Sequence, residues 1–309
     1  MTGAAPTVSV VLPTYRRPDL IERALATVQA QTYGDWELRV IDDNGVGHEA
    51  QLATEAVVAK LAAADARVTY RAQPRNRGAC AARNAGIEAS RGRYVAFLDD
   101  DDAWRPEKLA RQVACCEVAD PATTLVYGGL EVVEADGRRR AVPADGLAHQ
   151  RRALLLRNGI GTTSLVLCRR DALLAVGGFD EELPAMQDYD LYLRLAERGP
   201  FACVPEPLVD KHRHAGDTIG KDLQGIARAN ERFYLKHRAR FVDDPVVHHQ
   251  RLRWFGEQLL RAGRWQEGRQ RLWQAWRVHP RSVGTLALAV AAHPPVLAAY
   301  RALRPGRGG

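Results

Sequence analysis

The sequence predicts an α/β protein with a Rossmann-like, mixed but mainly parallel sheet flanked by helices, followed by a helical C-terminal extension. Short β-rich runs alternate with helical patterns through the first half of the chain, which is typical of βαβ units. The first run, residues 8–12, is almost wholly apolar, as in a strand that helices cover on both faces. With 309 residues, of which 46% are hydrophobic, the chain can bury a sizeable core and is long enough for two domains.

The hydrophobic pattern predicts the elements of the first half in order. After the strand at 8–12, Pro18 and Asp19 begin a helix, because both residue types are favoured in a first helical turn. The next elements are strand 36–41, helix 49–63, strand 68–72, helix 79–89 and strand 94–98. The last strand runs directly into four aspartates, at the strand end where ligands bind in open α/β sheets.

The second half has a more mixed pattern. Its elements are predicted as a helix over 106–118, a hairpin over 123–133 and 140–142, a strand over 164–168 and a helix from about 188. From residue 221 onward the pattern is helical and rich in Arg and Trp, with Gly263 separating two of the helices. We therefore expect an α/β domain over residues 1–220 and a basic helical extension over residues 221–309.

The charge is uneven along the chain. The formal net charge is +7, but residues 221–309 contain 17 basic and 6 acidic side chains, so the positive excess belongs to the extension. Trp and Phe interleave with Arg there, so these helices either pack on the α/β domain, which we favour, or make peripheral contact with an anionic membrane. We expect no nucleic-acid partner, because no known binding module accompanies the charge.

Cysteine spacing and the first residues exclude other classes of protein. The five cysteines form no C-x-x-C pair and no Cys/His cluster at zinc spacing, so the sequence indicates neither a disulfide scaffold nor a structural zinc site. No basic segment precedes a long apolar stretch at the start, so no secretory signal is expected, and the apolar segment 285–292 is too short to span a bilayer. We expect a cytoplasmic protein, with the inner face of the cell membrane as the alternative location.

Four adjacent carboxylates are the clearest chemical feature of the sequence. Asp99 and Asp101 lie two positions apart, so on an extended chain they point to the same side. An all-oxygen cluster suits a hard divalent cation such as Mg²⁺ or Mn²⁺. A helix N-cap would account for one aspartate here but not for four. The sequence therefore predicts a metal or nucleotide site.

A second carboxylate pair, Asp42 and Asp43, ends the second predicted strand at the same sheet edge, although an Asx turn would also account for it. The following residues 45–50 match the G-x-G-x-x-A fingerprint of dinucleotide-binding proteins. We reject that interpretation, because the fingerprint should follow the first strand and because the two carboxylates would repel a pyrophosphate.

Two more positions have a functional and a structural interpretation. Arg83 lies in the helix before the fourth strand, where its planar guanidinium would either bind phosphate or join a solvated face. Asp188 and Asp190 lie in the first turn of a predicted helix, where acidic residues ordinarily stabilise the helix dipole. Composition alone favours the structural role for both aspartates.

Three segments, in this order, resemble the family 2 nucleotide-sugar glycosyltransferases with the GT-A fold. They are residues 8–45 with LPTYRRPD and VIDDNG, residues 77–109 with ARNAG and FLDDDDAW, and residues 177–195 with GGFDEELPAMQDYD. The resemblance spans roughly residues 7–215 and implies an inverting, single-displacement transfer of a sugar from a nucleoside diphosphate donor. A UDP-sugar is favoured as donor, and the acceptor would be a carbohydrate, lipid-linked or small-molecule hydroxyl.

The resemblance also implies which residues bind the donor. Pro13, Thr14 and Tyr15 would wrap the nucleotide, and Asp43 would contact its base. Arg83 falls where a basic residue often contacts the donor in this family.

The metal and the general base are implied in the same way. The D-x-D motif maps onto Asp99 to Asp101, with Asp101 as metal ligand and Asp99 or Asp100 nearer the ribose. Asp188 would be the general base, although Gln187 replaces the Glu that commonly precedes it. A divalent ion stabilises the charge that develops on a leaving diphosphate, and a carboxylate within hydrogen-bond reach can deprotonate the acceptor, so these roles agree with the expected chemistry.

Residues 211–217 resemble the loop that closes over the donor in this family. His214, or else His212 or Arg213, would complete the site there, since His commonly binds metals and Arg commonly binds phosphate. A solvated basic loop is the structural alternative.

Two other functions compete with sugar transfer. A nucleotidyltransferase that makes sugar nucleotides also uses acidic metal ligands, but it should carry a Gly-rich phosphate loop after the first strand, and LPTYRRPD contains no glycine. A non-catalytic glycan- or membrane-binding relic of the fold is the second alternative. The presence of both the aspartate cluster and Asp188 argues against such a relic.

Overall fold

The structure is a computed structural model that describes residues 5–146, 150–212 and 222–292. The chain divides into two units. The first contains most residues up to 215, and the second contains most residues from 216 onward.

A mixed sheet forms the frame of the first unit. Its strands are β1 (Val8–Thr14), β2 (Trp36–Asp42), β3 (Val68–Ala72), β4 (Tyr94–Phe97), β5 (Asp102–Trp104), β6 (Leu125–Val133), β7 (Arg139–Val142), β8 (Val166–Arg169) and β9 (Phe201–His212). The order is β3-β2-β1-β4-β8-β6-β9-β5, and β7 pairs with β6. The first four strands are parallel, β8 is antiparallel to both of its neighbours, and β6 and β9 are parallel. This sheet confirms the predicted fold class.

Helices connect and follow these strands. The described residues form α1 (Pro18–Gln29), α2 (Glu49–Ala64), α3 (Ala79–Ala89), α4 (Lys108–Val118), α5 (Arg151–Leu156), α6 (Arg170–Ala175), α7 (Gln187–Leu195), α8 (Leu223–Val242), α9 (Pro245–Arg261), α10 (Trp265–Val278) and α11 (Val283–Ala291). Pro18 begins α1 as predicted, since proline fits a first turn whose N–H has no helical partner.

The central strand β1 is buried along its whole length. Gly86 of α3 faces it, and a Cβ atom at that position would lie only 2.2 Å from Cγ1 of Val11. Only glycine therefore lets α3 approach β1 this closely, and this approach brings the helix that carries Arg83 onto the sheet.

The chain after the aspartates differs from the sequence prediction. The expected strand at 164–168 is a 3-10 turn over Thr163–Leu165 followed by β8, and it pairs antiparallel with β4. Strand β5 was not predicted, because it has only three residues and its partner β9 lies about a hundred positions away.

Lys108 is fully buried at the start of α4. Its Nζ lies 3.8 Å from the centroid of the Trp104 ring and 3.5 Å from the carbonyl oxygen of Val166. Within the described ranges no carboxylate forms an ion pair with it, and burial lowers the pKa of this amine well below its ordinary value.

The second unit is helical, and its helices begin where the sequence provides caps. Asp222 accepts a hydrogen bond from Gly225 at the start of α8, and Asp244 caps α9 in front of Pro245. Gly263, with φ of +78°, separates α9 from α10 as the sequence predicts. Over the part of the chain that the structure describes, no helix is both long and apolar enough to cross a membrane.

Candidate active site

The candidate site lies at the edge of the sheet where the parallel strands β1, β2 and β4 end. Parallel strands direct their carboxyl ends to the same edge, so the residues that follow them become neighbours. These residues are Tyr15 to Arg17 after β1, Asp43 and Asn44 after β2, and Asp99 to Asp102 after β4.

Asp100 links the turn after β1 to the aspartates. Oδ2 of Asp100 accepts a hydrogen bond from Oγ1 of Thr14 at 2.8 Å and one from the backbone N–H of Tyr15 at 3.4 Å. Nη1 of Arg17 lies 3.1 Å from Oδ1 of Asp100 and 2.7 Å from Oδ2 of Asp101. Burial raises the pKa of Asp100 to about 6, although Thr14 and Arg17 oppose this rise. Thr14 and Tyr15 therefore lie beside the aspartates.

Asp99 is held by a basic side chain and by two hydroxyls. Nη2 of Arg83 donates to Oδ1 of Asp99 at 2.6 Å, while the hydroxyls of Thr162 and Thr163 donate to Oδ2 and Oδ1 at 3.2 and 3.4 Å. Burial alone would raise the pKa of Asp99, but the charge and hydrogen bond of Arg83 outweigh it and lower this pKa. Asp99 therefore stays ionised.

Asp102 is fully buried and pairs in register with Lys211 of β9. Nζ of Lys211 lies 3.5 Å from Oδ1 of Asp102, and Oδ2 has no hydrogen-bond partner among the described residues. Burial raises the pKa of Asp102 to about 7, although the charge of Lys211 opposes this rise. An acceptor atom without a donor in a buried position is the arrangement that a cation would complete.

The residues present fit a hard divalent cation. Asp99, Asp101 and Asp102 each place a carboxylate oxygen within 4.8 Å of the oxygens of the other two. Mg²⁺ and Mn²⁺ prefer carboxylate oxygens as ligands, and the cluster offers three of them. One of the three residues, Asp102, has an oxygen without a hydrogen-bond donor among the described residues. Asp99 and Asp101 share this cluster as the sequence pattern suggests. Asp102 joins it in the structure.

Asp43, after β2, stabilises the loop in front of α3. Its Oδ1 accepts from the backbone N–H of Arg77 at 2.9 Å, and its Oδ2 accepts from that of Gly78 at 2.7 Å. The residue is almost fully buried, and burial raises its pKa, although both backbone donors oppose this rise. The loop after β2 also contains the glycines of the rejected dinucleotide fingerprint, so that pattern follows the second strand rather than the first.

Asp188 lies in the first turn of α7, close enough to Arg83 and Asp99 for both charges to act on it. Its Oδ2 accepts a hydrogen bond from Nδ2 of Asn158 at 3.0 Å, and its Oδ1 accepts from the backbone N–H of Tyr189 at 2.7 Å. Burial is the largest influence and raises the pKa of Asp188, although these donors oppose it.

Asp190, two positions further on, has a different environment. It is fully buried, and its Oδ2 lies 2.6 Å from Nη2 and 2.9 Å from Nε of Arg194, one helical turn away. Arg194 in turn donates to the carbonyl oxygen of Val176. This network ties α7 to the chain after α6, so Asp190 has a structural role.

The remaining predicted site residues occupy less informative places. Pro13 is buried within β1, where it pairs in register with Ile41 of β2. His212 is the last residue of β9, whereas Arg213 and His214 lie outside the described residues.

Several residues at the site were missed by sequence reasoning. Arg17 belongs to the segment LPTYRRPD, but no pattern in the sequence indicates that its side chain reaches Asp100 and Asp101. Asn158 lies far along the chain from its partner Asp188. Lys211 lies within the predicted loop 211–217, but its contact with Asp102 was not predicted, because only the pairing of β5 with β9 produces it. Tyr192 is fully buried one turn after Asp188, and its hydroxyl finds no hydrogen-bond partner in the described ranges.

Sequence comparisons relate the chain to proteins of polysaccharide biosynthesis. Residues 9–177 match the profile of a family described as Glycosyl transferase family 2. The chain is 32% identical over 246 residues to an Escherichia coli (strain K12) protein named "Putative colanic acid biosynthesis glycosyl transferase WcaA", covering 76% of this chain and 83% of that protein. It is also 42% identical over 134 residues to the succinoglycan biosynthesis protein ExoO of Rhizobium meliloti (strain 1021), covering 43% of this chain and 36% of ExoO.

Solved structures share the fold. TarS 1-349 of S. aureus, in complex with UDP-GlcNAc, superposes with a TM-score of 0.65 at 14% identity and covers 97% of this chain and 93% of its own. The mannosyltransferase PcManGT from Pyrobaculum calidifontis, in complex with GDP-Man and Mn²⁺, has a TM-score of 0.59 at 20% identity and covers 96% and 83%. At these identities the likeness concerns the fold, and it agrees with the predicted GT-A architecture.

Proposed function

The chain belongs to glycosyl transferase family 2 and is a sugar-transferring enzyme, and from this premise we propose an inverting, metal-dependent transfer in which Asp188 is the general base. The observation that supports it is the common neighbourhood of Arg83, Asp99 and Asp188. Arg83 donates to Asp99 of the aspartate cluster, and its charge also acts on Asp188. A donor held at the cluster would therefore lie beside the proposed base.

Asp99, Asp101 and Asp102 would hold Mg²⁺ or Mn²⁺, and His214 stays a proposed further ligand. When bound, the ion acts as a Lewis acid that stabilises negative charge on the leaving diphosphate. The mannosyltransferase PcManGT was solved with Mn²⁺, which makes this ion the first to test. Asp101 is the proposed ligand to substitute first, because in the structure its Oδ2 contacts Arg17, whose side chain is 28% exposed.

The donor would be bound by residues that follow β1, β2 and β4. We propose that Pro13, Thr14 and Tyr15 lie along the nucleotide and that Asp43 accepts a hydrogen bond from its base. Asp43 already holds two backbone N–H groups, and each carboxylate oxygen has a second lone pair for such a contact. Asp100 would contact the ribose, and Arg83 the diphosphate through its planar fork.

Asp188 would take the proton from the acceptor hydroxyl as that oxygen attacks the sugar. Hydrogen bonds to an ionised carboxylate favour its ionised form, and Asn158 and the N–H of Tyr189 supply two of them. Gln187 occupies the position of the carboxylate that commonly precedes the base in this family. We infer that Asn158 orients Asp188 in its place.

The substrates follow from the same proposal. We propose a UDP-sugar as donor, and a GDP-sugar is the second choice because the two structural neighbours were solved with one of each. A carbohydrate or lipid-linked acceptor agrees with the names of WcaA and ExoO, which refer to polysaccharide biosynthesis. We assign transfer to residues 1–220 and propose that residues 221–309 form a basic helical extension.

Calorimetry with UDP and GDP, each with and without Mn²⁺, tests the metal-dependent donor site. We expect Mn²⁺ to enhance binding of one nucleotide and Asp101→Ala to abolish that enhancement. Asp136→Ala is the matched control, since Asp136 lies in the exposed turn between β6 and β7. Metal-enhanced binding that persists unchanged in Asp101→Ala would contradict the proposal.

A further inference from the structure

The second unit contains a cavity that the proposed reaction does not use. It has a volume of about 430 Å³ and is lined by side chains of α8, α9 and α10. Four basic side chains converge on it: Arg238, His248, Arg271 and Arg277. A volume of this size falls within the roughly 300 to 1,000 Å³ that is typical of sites for small molecules.

Among the residues that the structure describes, no carboxylate lines this cavity. Over the described residues, none of the guanidinium groups of Arg238, Arg271 and Arg277 forms an ion pair with an acidic side chain. Other arginines of the same unit do have such partners, as Nε of Arg253 lies 2.9 Å from Oε1 of Glu257. The charge of Arg271 also acts on Glu267, one helical turn earlier on α10, but Glu267 does not line the cavity. Like charges that converge repel one another, so the cavity favours an anion.

Neutral groups hold two of the basic side chains, Arg271 and His248, in place. The guanidinium of Arg271 lies over the ring of Phe255, with Cζ 4.9 Å from the ring centroid, and Nη1 donates to Oε1 of Gln274 at 3.0 Å. Nε2 of His248 lies 2.8 Å from the hydroxyl of Tyr234. Burial, and then the charge of Arg238, lower the pKa of His248. The positive charge of the cavity at neutral pH is therefore that of the three arginines.

We propose that this cavity binds a phosphate group, in the form of a phosphate monoester or a diphosphate. A guanidinium presents planar pairs of donors that match phosphate oxygens, and three of them around one cavity can neutralise a dianion. The group would come either from a free phosphate compound or from the headgroup of a lipid. Leu235 at the cavity is 60% exposed, which provides apolar surface next to the charge for a lipid chain.

The first experiment measures binding of pyrophosphate to the full chain by calorimetry in EDTA, which removes metal-assisted binding at the aspartates. We compare the wild-type protein with the double variant Arg238→Gln/Arg277→Gln and with Arg253→Gln. Arg253 lies on α9 in the same unit but pairs with Glu257, so this control removes a positive charge outside the cavity. We expect the double variant to bind at least about tenfold more weakly and the control to change less than about twofold.

The second experiment measures cosedimentation of the same proteins with vesicles of phosphatidylcholine alone or mixed with phosphatidic acid. Binding of pyrophosphate that the double variant weakens assigns the site to a soluble phosphate. Vesicle binding that requires phosphatidic acid and is weakened only in the double variant assigns it to a lipid headgroup. If neither probe binds, or if Arg253→Gln weakens binding as much as the double variant, the site does not exist. Unchanged melting temperatures of the variants establish that each is folded.

Discussion

Nη1 of Arg17 lies 2.7 Å from Oδ2 of Asp101, so a cation from the turn after β1 holds one of the three clustered carboxylates. Asp99 is held in the same way by Arg83, and Asp102 by Lys211. Each carboxylate of the cluster thus has a basic partner in the structure. A divalent ion that bound there would have to compete with these basic side chains.

Removing the competing cation should strengthen metal binding. We expect Arg17→Gln to tighten binding of Mn²⁺ alone by about two- to fivefold, the range of a partly exposed ion pair. Calorimetry with Mn²⁺ in the absence of nucleotide measures this change. Arg16→Gln is the matched control, because it removes the same charge from the adjacent residue, whose guanidinium lies near the Tyr15 ring. Equal or weaker Mn²⁺ binding in Arg17→Gln would show that Arg17 does not compete with the ion.

Asp188→Asn should abolish most of the transfer without affecting donor binding. The amide keeps the shape of the side chain but cannot accept the proton, so we expect the single-turnover rate of transfer to an acceptor or to water to fall about 10²- to 10⁴-fold. Donor affinity should stay within about twofold, since the base acts on the acceptor.

Asp190→Asn provides the contrast to that variant. It breaks a buried ion pair with Arg194, so we expect the free energy of unfolding to fall, on the order of 3 kcal/mol. The transfer rate per folded molecule should be preserved. A normal rate in Asp188→Asn together with an inactive but folded Asp190→Asn would identify Asp190 as the base.

The pH dependence of transfer should reflect the environment of Asp188. A base works only when it is deprotonated, and burial raises the pKa of Asp188 above its ordinary value. The rate should therefore fall, as the pH is lowered, at a higher pH than for an ordinary aspartate with a pKa of about 3.9. Asn158→Ala removes a donor to the ionised carboxylate, so the acid limb should move to still higher pH. An acid limb that does not move would exclude Asn158 as the residue that orients the base.

Lys108 should make stability depend on pH. Its pKa is lowered in the folded state, so the unfolded state binds more protons and stability rises with pH between the lowered pKa and the ordinary value of about 10.4. Between these two pKa values, each pH unit by which the pH is lowered reduces the free energy of unfolding by up to about 1.4 kcal/mol, because the buried Lys108 amine stays uncharged while the unfolded chain binds the proton. Lys108→Met should remove this slope in urea unfolding measured at several pH values. Lys60→Met, on the exposed face of α2, should leave the slope unchanged.

The sequence predicts the first half of the fold well, because periodicity and the first helical turns are local signals. Pro18 and Gly263 begin and separate helices as expected. In contrast, the sequence does not distinguish Asp102 from the three aspartates before it. In the structure, the pairing of β5 with β9 places Asp102 opposite Lys211. That pairing joins residues about a hundred positions apart, and no local pattern encodes it.

The candidate site shows the same division. The position of Asp99 and Asp101 at a strand end follows from the apolar run before them. The different environments of Asp188 and Asp190 do not follow from composition, since both residues lie in a first helical turn. Their partners distinguish them: Arg194 is one turn away from Asp190 on the same helix, whereas Asn158 reaches Asp188 from another part of the chain.

Gly86, which has no side chain, affects how variants of this enzyme would be interpreted. A methyl group there would overlap Val11 of β1, so Gly86→Ala must push α3 outward or tilt it. Arg83 lies one turn earlier on that helix, and its 2.6 Å contact with Asp99 would be the first to stretch. In a mutational scan, this glycine would score as an active-site position although it touches neither donor nor acceptor. Loss of activity at a buried site can therefore report the distance between a helix and a strand rather than chemistry.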